Sequence, residues 1–243
     1  MMRIAFLFFL LVHQFCIAQD ISVEIDYNLS FNQSYIDHLN NEPIDQPQYS
    51  FAISKFRESI LSVNNQVVFS LKLCNSESSF IKKPFLIKGI KLSKYQSVFH
   101  DYFNNGSFYL RFSENKIYKF ETAFDKDYVI ELPMPKWEIY DTSKTVLGYS
   151  CYKATTTRLS SNGKDVDQIT AWFTPELNIP VAPNGFVGLP GAVLQLDLNL
   201  YSLVATKISP GDCELPEFVI PKKVWTHEAF LKEVNEINTR LRN

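Results

Sequence analysis

The sequence predicts a mainly β protein: a single domain with a curved antiparallel sheet, half-barrel-like, and a C-terminal amphipathic helix packed on it. Three observations point there. Short runs that alternate apolar and polar residues recur along the chain. Turn residues (Asn, Gly and Pro) punctuate them. One stretch has helical spacing, with Phe230, Val234, Ile237 and Leu241 at intervals of four, three and four. The chain of 243 residues is within reach of one domain, and 20 Phe with 21% charged residues exclude a disordered one.

In chain order, Arg3 followed by the apolar run Ile4 to Val12, with Cys16 and Ala18 at minus three and minus one, reads as a signal peptide over residues 1–18. The remainder, 19–243, is then one exported domain, periplasmic or secreted and not an integral membrane protein. Ile21, Val23, Ile25, Tyr27, Leu29 and Phe31 alternate with polar residues and predict a half-buried strand. Asn32 to Tyr49 is polar, holds Pro43 and Pro47, and reads as a loop with a helical turn near Tyr35 to Leu39. Gln66 to Leu73 predicts a strand. Phe108–Phe112 and Lys116–Phe120 flank Ser113-Glu114-Asn115 as a hairpin, and Tyr128–Leu132 follows, stopped by Pro133 and Pro135. Val146–Thr157 and Gln168–Thr174 predict two strands around an Asn162-Gly163 turn. Leu194, Leu196, Leu198 and Leu200 alternate with polar residues, as one long strand into Ile208 or a hairpin near Asp197–Asn199. Thr226 is suited to cap the closing helix, with Glu228 in its first turn.

Charge narrows the function classes. The leader holds Arg3 and no acid, so 24 basic residues less one, against 26 acidic, leave −3. That balance argues against a nucleic-acid binder. Residues 19–54 carry six acids and no Lys or Arg, whereas residues 81–100 carry five lysines and no acid. The lysines read as a solvated face or as the complement of the acidic segment, with a surface for anions or lipid headgroups as the sharper alternative. Beyond the leader, the cysteines Cys74, Cys151 and Cys213 allow at most one disulfide, in any of three pairings, and leave one thiol.

Catalytic constellations are missing from the sequence pattern. His38, His100 and His227 have no metal-site spacing, so no metal ligands are assigned. Asp20, Glu24 and Asp26 on one strand face are too few oxygens for a calcium site. No nucleophile elbow or P-loop occurs, and neither catalytic residues nor a cofactor is assigned. Gly185, Gly188 and Gly191 have the wrong spacing and element order for a dinucleotide fingerprint. With Pro175, Pro180, Pro183 and Pro190 they read as a stiff bend, Pro190-Gly191 suiting a type II turn, with Trp172 and Phe173 beneath it.

Gly188-Leu189-Pro190-Gly191, preceded by Ala171-Trp172-Phe173-Thr174-Pro175-Glu176 and by Gly148-Tyr149-Ser150-Cys151-Tyr152-Lys153-Ala154, resembles the GLPGLI family over about residues 110 to 208. Gly188, Leu189, Pro190, Gly191, Trp172, Gly148 and Cys151 carry the resemblance. It implies an exported protein of a group found largely in Bacteroidetes and mostly without assigned function. The expectation is a non-catalytic envelope protein binding a hydrophobic ligand or a protein partner through its concave face or the Gly/Pro loop. The alternatives are a hydrolase using carboxylates such as Asp197 with Glu176, or a structural subunit of an envelope assembly.

Overall fold

The computed structural model describes residues 21–41, 50–84, 106–159 and 166–242. The leader, the Asn162-Gly163 turn, His100 and Lys88, Lys91 and Lys94 lie outside them. Twelve strands form one sheet: β1 (Ser22–Phe31), β2 (Val68–Cys74), β3 (Glu77–Lys82), β4 (Ser107–Arg111), β5 (Lys116–Ala123), β6 (Lys126–Leu132), β7 (Glu138–Val146), β8 (Tyr149–Leu159), β9 (Val166–Thr174), β10 (Ala192–Asp197), β11 (Tyr201–Pro210) and β12 (Trp225–Thr226). Their order is β12-β6-β5-β4-β3-β2-β1-β11-β10-β9-β8-β7. Every pairing is antiparallel except the short β12–β6 pair. Among the described residues the helices are α1 (Gln33–Asn41), α2 (Ser50–Val63) and α3 (His227–Arg242).

Connectivity forces the curvature. Only residues 133–137 join β6, next to one end of the sheet, to β7, its other end. Six Cα steps reach about 20 Å. Ten inter-strand spacings in a flat sheet cover about 48 Å. The sheet therefore curls until its two ends approach, and no ladder joins them among the described residues, so it stays open.

The concave face is filled from within. β1 turns Ile25, Tyr27, Leu29 and Phe31 inward, as its period of two predicts. The loop from β9 to β10 then crosses the interior, burying Val181, Ala182, Phe186, Val187 and Leu189. A Cβ on Gly185 of this loop would lie 2.9 Å from Ile117 and 3.3 Å from Phe108, on the opposite half of the sheet. Trp137 Nε1 donates to the Val187 carbonyl at 2.8 Å and pins the loop. The Tyr27 hydroxyl donates to the Val193 carbonyl at 2.6 Å where the loop rejoins the sheet. On the outside, residues 211–224 strap β2 to β5: Cys213 is disulfide-bonded to Cys74, Lys72 pairs with Asp212, and Phe218 stacks on Tyr109.

α3 begins where predicted, with the Thr226 hydroxyl accepting the Ala229 N–H. Phe230 packs edge-on against Tyr128 of β6. Other elements depart from expectation. Val146–Thr157 is not one strand: Leu147-Gly148, both at positive φ, make the tight turn between β7 and β8. Of the two alternatives for Leu194 to Ile208, the hairpin expected near Asp197–Asn199 is the one found, β10 to β11 turning at residues 198–200. The helical turn near Tyr35 extends to all of α1, and α2 carries no signal that the sequence reading used.

Candidate functional site

At the seam where the sheet's ends approach, a cleft of about 280 Å³ opens. Four segments line it: the β6–β7 link (Leu132 to Lys136), the end of β8 (Thr156 to Leu159), the loop residues Asn184 to Phe186, and His227 with Glu228 at the start of α3. Each is positioned by a local rule. Pro133 and Pro135 cannot continue the ladder and release the link. On β8, Ala154, Thr156 and Arg158 share one parity, so the strand that buries Ala154 carries Arg158 inward two residue pairs further on. Asn184 adopts a left-handed conformation (φ 53°), which Asn tolerates better than most residues, and Gly185 follows at φ 72°.

The guanidinium of Arg158 lies 4.4 Å from the Phe186 ring centroid, a cation–π stack on the floor of the cleft. Burial pulls its pKa below the ordinary arginine value, yet a guanidinium stays protonated near neutral pH. His227 is held below the ordinary imidazole value, first by burial and then by the Arg158 charge, with Glu228 opposing. The side chain of Asn184 lines the cleft from a residue only 6% exposed. A stacked cation, an amide and an imidazole around an aromatic ring suit a ligand rich in oxygen atoms.

The residues singled out from sequence sit elsewhere or play structural parts. Gly191 (φ 150°) lets the loop pass the β9 backbone: a Cβ there would meet the Thr174 carbonyl oxygen at 2.1 Å. The predicted type II turn is absent. Gly191 N–H donates instead to the Leu189 carbonyl at 2.9 Å, closing a three-residue γ-turn on Pro190. Leu189 is core, Gly188 lies exposed at φ 98°, and Gly148 forms the β7–β8 turn. Phe173 is buried while Trp172, its neighbour on the strand, points to the outer face and donates to Asp197 at 3.1 Å with Lys144 over its ring. Cys151 is the free cysteine, its thiol pushed up by burial.

Asp197 and Glu176 do not share a cleft. Asp197 is opposite Thr170, and Glu176 lies six residues further along that strand and loop, about 20 Å in extended chain. Asp197 is also saturated by Trp172, Gln195 and Ser202, and Glu176 accepts the Ser150 N–H. Of the lysine-rich run, Lys83 pairs with Glu24 and Asp26 of the acidic strand and supplies the cation between those carboxylates. No three-residue group suited to a metal ion occurs among the described residues. No described helix is long and apolar enough to cross a membrane.

Sequence reasoning missed Arg158 and Asn184, gave His227 no role, and placed Glu228 only in the first turn of the closing helix. The legible signal was Arg158 itself: a charge at the inward parity of a buried strand is rare without a function or a partner.

A family model described as N-glycanase peptide, N-terminal domain, matches residues 104–217. No curated protein matches the chain. Among solved structures, two of PNGF-II, in C2 and P21 space groups, are similar at 14% identity, with TM-scores of 0.49 and 0.48. Each similarity covers 90% of this chain, which spans only about a third of the PNGF-II length (33% and 34%). The family match overturns the GLPGLI resemblance: the matched region encloses the Gly188–Gly191 segment, whose glycines answer to close approach and positive φ in this particular loop. It equally overturns the expectation of a non-catalytic envelope protein. The physical reasons agree. The concave face that was to take a hydrophobic ligand is occupied by the chain's own loop, and the handles for an assembly subunit are internal, Cys151 buried and α3 packed through Phe230 and Leu231.

Proposed function

We propose that this chain acts in the removal of N-linked glycans from peptides, and that the seam cleft holds part of the glycan. The observation that carries this reading is the match to the N-glycanase N-terminal domain over residues 104–217, which contain every lining segment except the start of α3. The chemistry of the cleft supports it. Sugars present hydroxyls to amides and cations, and Asn184 and Arg158, the latter held in place on the Phe186 ring, offer those groups. Export by the leader belongs to the same reading.

The test pairs an N-glycopeptide with the same peptide lacking its glycan, followed by NMR titration for binding and mass spectrometry for release. Binding of the glycopeptide alone, with shifts at Asn184 and His227, supports the reading, as does glycan release. A chain that neither binds nor cleaves the glycopeptide overturns it.

A further inference from the structure

We propose that the seam cleft is an oxyanion subsite: Arg158 and His227 receive a carboxylate, sulfate or phosphate group borne by a sugar, and Asn184 takes its neighbouring hydroxyls. This deepens the glycan reading above and rests on it.

The charge balance is the first observation. Arg111 is held by Glu77 and Glu114, and Arg240 lies beside Glu236. Arg158 has no carboxylate within ion-pair distance among the described residues; its contact is the Phe186 ring. Asp167, directly across the ladder from Arg158, is turned to Asn199 at 2.5 Å. Glu121, which acts on His227 from β5, is tied to Lys119. Of the residues that line the cleft, Arg158 and Lys136 therefore meet one carboxylate, Glu228, while Asp167 acts on Arg158 from the neighbouring strand; protonating His227 adds a further positive charge. A partly buried cation whose close contact is a ring rather than a carboxylate is costly, and a bound oxyanion would relieve that cost.

Position is the second observation. Arg158 and His227 line the same cleft from opposite sides, β8 and the first residue of α3. α3 thus begins at the site, and its dipole favours negative charge there. A planar guanidinium matches the two oxygens of a carboxylate or sulfate.

The experiment titrates the full chain with sulfate, glucuronate, glucose 6-phosphate and neutral glucose. The readout is the His227 imidazole resonance, identified by its loss in His227→Gln. Glucuronate and glucose 6-phosphate should raise the pKa of His227, bind more tightly than inorganic sulfate, and weaken about tenfold or more in Arg158→Gln, the loss expected for a charge-assisted hydrogen bond. Arg158→Lys should retain part of the affinity, which covers the case of a glutamine variant that does not fold. Neutral glucose shifting His227 as far as the acids do would overturn the proposal. So would a folded Arg158→Gln that binds the acids unchanged. Sulfate binding without the sugar acids would remove the sugar-borne assignment. Normal glycopeptide binding with no response to the acids removes this inference and leaves the glycan reading standing. Acid binding without glycopeptide binding does the reverse.

Discussion

Replacing Gly191 by alanine isolates the geometry of the buried loop. The added Cβ would lie 2.1 Å from the Thr174 carbonyl oxygen, 2.6 Å from its carbon and 2.9 Å from the Pro175 Cα. All three are backbone atoms, so no side chain can rotate away. Relief requires the β9 end and the loop to separate, which loosens the register that pairs Ala192 with Thr174. Overpacking of this kind costs about 1–3 kcal/mol. Holding alanine at φ 150° costs about 1–3 kcal/mol more. Together they predict roughly 4 kcal/mol, or about 10 °C in Tm for a chain of this size. The control is Gly148→Ala, at φ 84° with nothing within 4 Å of the added methyl; it bears only the backbone penalty of about 1 kcal/mol. Urea unfolding of both variants measures the difference. Equal midpoints with unchanged slopes would refute close approach as the reason for glycine at 191.

Tyr27→Phe leaves the Val193 carbonyl without its buried donor and should cost about 1–3 kcal/mol in denaturant unfolding; a neutral result would mean that water replaces the hydroxyl. Reducing the Cys74–Cys213 disulfide releases a separation of 139 residues, for which the chain-entropy model gives about 5 kcal/mol; midpoints with and without reductant check this, and Cys151 should react with a thiol reagent only after unfolding. The lowered pKa of His227 makes the unfolded chain the stronger proton binder between its folded value and about 6.5. Stability from this group is therefore full above about pH 6.5 and is lost as pH falls toward the folded value. His227→Gln should flatten that slope; an unchanged slope would assign the dependence to other groups.

The elements that were legible in the sequence satisfy a local rule with local residues. β1 shows its two-residue period because one face is core and the other polar. The β4–β5 hairpin turns on Asn115, a residue that tolerates φ 54°, and α3 carries its own cap in Thr226. The β7–β8 turn was hidden because Leu147, at φ 50°, is not a turn-forming type and lies between the strand formers Val146 and Tyr149. α2 was hidden because it has no acidic residue in its first turn, no basic residue in its last, and leaves Phe51 and Leu61 exposed. The cleft was harder still. Its walls come from four segments between Leu132 and Glu228 that meet only when the sheet curls. The four-residue pattern at Gly188–Gly191 misled for the same reason: glycines demanded by a close backbone approach look alike whatever family imposes them.

The curl and the filled interior together explain where a site can be. A twelve-stranded sheet bent far enough for five residues to bridge its ends would enclose a large apolar cavity, and the β9–β10 loop occupies that space with Val181, Phe186, Val187 and Leu189. The interior is then unavailable to a ligand. Among the described residues a cleft opens at the seam, where no ladder joins the sheet's ends and polar groups meet the loop's outer edge. Arg158 is the telling residue: a core would have replaced it with an apolar side chain at a gain in stability. Its place on an inward strand position, stacked on Phe186 beside an imidazole, is what the ligand-binding role proposed above accounts for.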